Sequence, residues 1–328
     1  LGTLDIRYAN VTLGDFSASA GSTVTISEAS VLTIDTDNSD PQANIIEADI
    51  GGNGQLRKAG EGTIRLGGSV TIGDYLHIDA GTVEVWNNAS LAARGVVVAE
   101  GATLSLTDTR DVTVNILGGA GTINFGGDWS VGNSITVQGG NFTGALTGAG
   151  RLIKTGTDRL VLGGSDFSNG EIETRGGELD ITGDMTLHRL LITDGTVQVA
   201  DGNSLTAEYL AGSGGNLTIN GTLTLHQTDW NSNTNRYDAY TGAITGGGEL
   251  VKEGQDEVVL GGDNSGYTGA ITINAGGLRA ASGNALGTGQ VTIGDAGTLY
   301  FDGQAGNAWN YTGNLAGTGR LVKSDRST

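Results

Sequence analysis

Apolar and polar residues alternate along almost the whole chain, in short runs. In GTVQV (195–199), Val197 and Val199 share one face while Thr196 and Gln198 share the other, the period of two that defines a half-buried strand. VTIG (70–73), LTIN (217–220), ITIN (271–274) and VTIG (291–294) repeat the pattern, each rich in β-branched residues and closed by Gly or Asn. No stretch of ten or more residues carries the 3.6-residue apolar spacing of an amphipathic helix. The pattern therefore predicts an all-β protein of many short strands.

These strands recur in units of twenty-odd residues. Gly-Thr-apolar-x-apolar occurs at 81–85, 121–125, 195–199, 221–225 and 297–301. A second series is G-x-G-x-L-x-K, at GNGQLRK (52–58), GAGRLIK (148–154), GGGELVK (246–252) and GTGRLVK (317–323). The two sets of spacings suggest a unit near 24 residues repeated 13–14 times. Short strands, glycine turns and no helix to form crossovers point to a parallel β-helix of 13–14 coils. A β-sandwich also predicts frequent turns, but not a coherent period of this length.

The chain's four lysines, Lys58, Lys154, Lys252 and Lys323, all stand in the second series. Strict alternation puts Lys154 in phase with inward Leu152, yet an ammonium cannot lie unpaired in an apolar core. The expected position is a corner, where the stem covers apolar surface and the head reaches carbonyls or water. Gly60, Gly156 and Gly254 follow two residues later and would turn the chain into the next strand.

Composition narrows the partners. The chain has 36 acidic and 17 basic side chains, a net charge of −19, 59 glycines and no cysteine. That charge disfavours nucleic acid and anionic membranes, whose phosphates demand Lys and Arg. No apolar run approaches the ~20 residues of a membrane-spanning helix. The lack of cysteine fits a cytosolic protein, and equally one that crosses membranes unfolded.

The motif G-x-G-x-L-x-K-x-G, followed by apolar-x-Leu-Gly-Gly at TIRLGG (63–68), RLVLGG (159–164) and EVVLGG (257–262), resembles the passenger-associated transport repeat of bacterial autotransporters. GGDNSGYTGAITINAGGL (261–278) is similar to the remainder of that repeat, and Phe142-Thr143-Gly144, Tyr240-Thr241-Gly242 and Tyr311-Thr312-Gly313 recur ahead of the lysine motifs. The last copy departs, with Ser324-Asp325 after Lys323. The resemblance implies a right-handed β-helical passenger occupying 1–328 as a single domain, with export leader and C-terminal outer-membrane barrel lying outside it. It also implies a place at the bacterial cell surface or outside the cell. AIDA-type adhesins, which bind host surfaces or one another, are the most similar in style.

Constellations for catalysis are missing from the sequence. His77, His188 and His226 form no H-x-x-x-H or H-E-x-x-H pair, and there is no G-x-S-x-G, G-x-G-x-x-G or Gly-Lys. Asp184, Asp201 and Glu208 could be brought together as carboxylates on neighbouring coils, as β-helical polysaccharide lyases and hydrolases require, but in so acidic a chain that arrangement is expected by chance. The expectation is a protein that is not an enzyme and holds no cofactor and no metal. IDTDNSD (34–40) is acidic but lacks the glycine and distal glutamate of a calcium loop.

The alternation breaks four times ahead of the lysine motifs, at IDTDNSDPQA (34–43), DWSVGNS (128–134), DWNSNTNRYDAY (229–240) and DGQAGNAWN (302–310). Exposed aromatics among polar groups make contact surfaces. The candidate contact residues are therefore Asp37, Asn38 and Asp40; Asp128 and Trp129; Asp229, Trp230, Asn231, Asn233, Arg236 and Tyr237; and Asp302 with Trp309. A common phase in the repeat would set these loops along one edge. Three partners follow as hypotheses. The first is an identical passenger on a neighbouring cell, giving aggregation and biofilm. The second is a host glycan or matrix protein in a polar groove, with Arg94, Arg110, Arg236 and Arg279 available for sulfated glycans. In the third, the repeat is a stalk for an N-terminal head.

Overall fold

A computed structural model describes residues 2–40, 42–108, 112–126, 132–227, 239–303 and 311–325. Every regular element among them is a strand, and the strands pair in parallel. The chain is a β-solenoid of about 15 turns in two compact units, Leu1–Gly170 and Glu171–Thr328.

In the first unit each coil has three walls. Val70, Leu91 and Val112 stack on the first wall, Leu76, Val96 and Leu117 on the second, and Ile64, Val83 and Leu104 on the third. Strands such as Val70–Ile78 and Leu91–Val98 round the corner between the first two walls without a break in pairing. In Val70–Ile78 the corner takes an extra residue, a bulge at the Gly73-Asp74 step. The second VTIGD, in strand Val291–Gly303 of the second unit, shifts register at the same step.

Register corrects the period. Coils without an irregular segment advance 17–21 residues, as from Val137 to Lys154, from Met185 to Leu205 and from Val70 to Leu91. The longer steps, Thr23 to Asp49, Val112 to Ile135, Thr222 to Glu249 and Val291 to Leu315, are those that contain the four irregular segments. Averaging inserted and regular coils inflated the unit to about 24 and reduced the count to 13–14.

Inward positions are Val, Ile and Leu at essentially zero exposure, including Ile26, Leu32, Leu56, Ile78, Val98, Leu152, Leu217 and Leu250. Each such side chain contributes roughly 1.5–3 kcal/mol by leaving water. Buried aromatics close the ends of walls. Tyr240 Oη donates toward the carbonyls of Gly215 and Ala243, and Tyr267 Oη toward those of Gly248 and Ala270, at 2.9–3.3 Å. Asn264, also buried, links three coils: its Oδ1 accepts from Ile244 N and its Nδ2 donates to Ala285 O.

The lysines are more deeply placed than a corner position implied. Lys58, Lys154 and Lys252 occupy inward positions with no exposed surface. Strict alternation is obeyed, and the ammonium is satisfied by carbonyls of the turn that follows. Lys58 Nζ donates to Ala59 O, to Gly60 O at 2.6 Å and to Thr36 O at 3.3 Å. Lys154 Nζ donates to Thr155 O at 2.7 Å. Lys252 Nζ donates to Glu253 O, to Gly254 O at 3.1 Å and to Ala275 O at 3.3 Å. Gly60, Gly156 and Gly254 have φ of 73°, 69° and 71°, so the turn bends its carbonyls back over the ammonium. Desolvation lowers all three lysine pKa values, that of Lys252 to about 8. Lys323 differs: it is exposed.

Nor does the lysine motif mark one phase. Lys58 stacks between Ile34 and Ile78, whose column continues through Val98 and Phe142 on the second wall. Lys154 stacks on Val137, whose column runs through Val114, Ala93 and Ile72 on the first wall. The motif encodes a turn followed by a strand, and it serves at more than one corner.

Candidate contact surface

Most of the predicted contact residues, namely Asp128, Trp129, Asp229, Trp230, Asn231, Asn233, Arg236, Tyr237 and Trp309, lie outside the described residues. In the first unit the 36–44 segment runs from the second wall to the third, and the described strands Thr122–Asn124 and Ser134–Phe142 begin on the third wall and the first.

The 36–44 segment is described almost completely, and it is organised by hydrogen bonds to its own unit. Asp15 accepts from Thr36 Oγ1 and, at 3.3 Å, from Asn38 Nδ2. Asp40 N donates to Asn38 Oδ1 at 3.0 Å, Gln42 N to Asp40 Oδ1 at 2.9 Å, and Glu61 N to Asp37 Oδ1 at 3.0 Å. Asn38 and Asp40 thus spend acceptors on the backbone two residues on, as Asx turns do, and Asp37 spends one on the next coil. The bonds from Thr36 and Asn38 hold the Asp15 carboxyl below its ordinary range. Among the described residues no group of three or more His, Asp or Glu side chains is arranged to hold a metal ion.

Outward positions carry a second recurring arrangement, an arginine or histidine set against an aromatic ring and a carboxylate from an adjacent coil. Arg65 lies 4.0 Å from the Trp86 ring centroid and forks onto Glu84 at 2.7 and 3.3 Å. Arg279 lies 4.7 Å from the Tyr300 centroid, forks onto Glu257, and reaches Asp302 at 3.6 Å. His188 meets the edge of Tyr209 at 5.1 Å, and its Nδ1 lies 2.9 Å from Glu208 Oε2. These tiers join adjacent coils through charge-assisted bonds. They also correct two assignments. Arg279 is nearly buried and neutralised, so it is not available to a sulfated glycan, and Asp302 is its counter-ion rather than a free contact residue.

Of the carboxylates considered for catalysis, Asp184 and Asp201 share one depression. With Asn203, Ser204, Asn220 and Thr222 they line an open depression of the second unit. It forms because the turn at 200–203 is longer than the turn at 220–221 above it. Asp184 accepts from both N and Oγ of Ser204 at 2.8 Å, which lowers its pKa, the reverse of a general acid. Glu208 is committed to His188.

The third wall of the first unit shows a plain surface of another kind. Thr63, Thr82, Thr103 and Thr122 stand in register on four successive coils, all half-buried and facing outward. Coil spacing makes this a column of hydroxyls about 4.8 Å apart. Alternation makes it visible only once the 19–21-residue register is known.

No family model and no solved structure matches the chain. Among curated proteins it is 28% identical over 326 residues to the Adhesin BmaC autotransporter of Brucella suis biovar 1 (strain 1330). The likeness is to part of an autotransporter adhesin. It covers 84% of this chain but only 9% of that protein, so the chain spans less than a tenth of the relative's length.

Proposed function

We propose that this chain is part of the passenger of a bacterial autotransporter adhesin, displayed at the cell surface, and that it acts by contact rather than catalysis. The observation that carries the reading is the similarity to an autotransporter adhesin across 84% of the chain, on a fold of parallel coils that offers long, regular outer walls. The AIDA style read from the lysine motifs, the tether to the outer membrane and the roles in aggregation and biofilm belong to the same proposal.

The first partner is an identical passenger on a neighbouring cell. The column Thr63–Thr82–Thr103–Thr122 supports this, because another solenoid has the same pitch and can meet every rung. Each contact is weak, and their sum is multiplied by local concentration. The charge of −19 opposes the approach of like chains, so association should strengthen as salt shortens the Debye length from ~30 Å at 0.01 M to ~8 Å at 0.15 M. Sedimentation of the purified protein across salt and concentration, with settling of cells that display it, tests the proposal. Monomers throughout, together with cells that stay dispersed, would refute it. The second reading, binding of a glycan, is supported by a different group of residues.

A further inference from the structure

One tier on the first unit is left open where the others are closed. Tyr75 and His77 project outward from strand Val70–Ile78, their ring centroids 5.6 Å apart and their planes inclined by 30°. Tyr75 lies across Gly95 of the next coil: a Cβ at that position would come within 2.2 Å of Tyr75 Cε1. The glycine therefore lets the ring lie flat and present a broad outer face. Arg94 stands beside it, with its guanidinium carbon 5.7 Å from the Tyr75 centroid. Arg57 is the register neighbour of His77 on the coil below.

The contrast with the closed tiers lies in the carboxylate. Arg65 and Arg279 fork onto Glu84 and Glu257 at bonding distance, with side chains 15% and 10% exposed. Arg94 is 60% exposed, and its nearest carboxylate, Asp74, is 4.0 Å away. Asp74 is already engaged, accepting from Gln55 Nε2 at 2.9 Å. Asp74 stands in the Gly73-Asp74 bulge, where the register shifts opposite Arg94. What remains is an exposed planar cation beside Tyr75, whose ring neighbours that of His77, on a chain that is otherwise strongly acidic.

We infer that Tyr75, His77 and Arg94 form a binding site for a glycan carrying a carboxylate, of the uronic-acid class. The guanidinium fork matches the carboxylate in plane and spacing. The rings offer an apolar face to the C–H face of a sugar and polar edges to its hydroxyls. Nucleic acid or a highly sulfated chain is disfavoured, because one open guanidinium cannot offset a net charge of −19. The inference takes from the adhesin reading only the location of the site on a displayed surface. Its test is a solution measurement that does not depend on display or on self-association.

The probes are a hyaluronan tetrasaccharide and tetra-N-acetylchitotetraose, which share N-acetylglucosamine, the first alone carrying carboxylates. Titration of the whole chain, followed by NMR or calorimetry at 0.15 M salt, should show the acidic probe binding at least tenfold more tightly than the neutral one. Arg94→Ala should weaken it at least tenfold, and Arg94→Lys should recover only part of that, because the planar fork is lost. Tyr75→Ala should weaken both probes. Asp74→Asn removes the competing carboxylate and should tighten the acidic probe severalfold, an outcome that misfolding cannot mimic. Equal affinity for the two probes, no binding of either at 10 mM, or an Arg94→Ala variant that binds like wild type would each overturn the inference. If cells fail to aggregate while the acidic probe binds, the self-association reading fails and this one stands.

Discussion

Replacing Lys252 with methionine separates packing from charge at a lysine corner. Methionine keeps most of the stem's volume, so the wall should stay filled. What disappears is the donor to Glu253 O, Gly254 O and Ala275 O. Leaving buried acceptors without a donor costs roughly 1–3 kcal/mol each. Against this stands the relief of a buried cation. The fall from 10.5 to about 8 corresponds to about 3 kcal/mol at about 1.4 kcal/mol per unit, reduced to about 2 by solvent screening at the corner. The net expectation at pH 7, three lost acceptors set against about 2 kcal/mol of relief, is a destabilisation of about 1–7 kcal/mol. Its pH dependence is more telling. Between about 8 and 10.5 the unfolded lysine holds its proton while the folded one releases it. The unfolded state therefore binds more protons there, and wild-type stability rises with pH relative to the variant. Lys252→Met should thus become more damaging, by up to about 2 kcal/mol, as pH rises from 7 to 10. Urea midpoints, with amide exchange in strand Glu249–Glu253 as the local readout, would measure it. A penalty that stays flat or shrinks over that range would refute a folded Lys252 pKa lowered by desolvation.

Gly119→Ala should cost about 3–5 kcal/mol, summing a strained φ and overpacking, because Gly119 has φ of 107° and a Cβ would come 1.9 Å from the carbonyl oxygen of Val98. Gly101→Ala is the control: its φ is 82° but nothing lies within 4 Å of the added atom, so urea unfolding should show only about 1 kcal/mol, and equal costs would contradict the steric argument. For the 36–44 segment, Asp15 has a folded pKa below its ordinary 3.8, so its contribution is complete above that value and is lost as pH falls through the folded pKa. Protection of the Asn38, Asp40 and Gln42 amides should decay in that acid range in wild type and be weaker above it in Asp15→Asn; identical profiles would dissociate Asp15 from the segment.

How far each of these was legible depends on whether the residues were local. The turn at Gly60, Gly156 and Gly254, and the inward phase of the lysines, are properties of nine consecutive residues, and alternation already required both. Carbonyls were foreseen as partners because an ammonium inside a core has few others. Depth was missed: a corner seemed to demand partial exposure, yet the turn folds back and supplies enough acceptors to bury Lys58, Lys154 and Lys252 completely. The contact surface was less legible. Asp302 looked like a free loop aspartate until Arg279 was placed beside it, 23 positions earlier in sequence but one coil away in space. Arg94 was one of several scattered arginines, and His77 a histidine without a motif. Only a register of 20 residues between Tyr75 and Gly95 groups them.

By itself the sequence determined the all-β class, the parallel solenoid and the inward faces, because a period of two and repeated glycine turns are written in consecutive residues. Tertiary structure alone decided the coil length, the walls that each lysine motif serves and the side chains that meet on the outside. The physical reason is that neighbours in a solenoid are one coil apart. Insertions such as 34–43 and 229–240 change that distance without disturbing the alternation on either side, so cross-coil partners become visible only when the backbone ladder fixes the register.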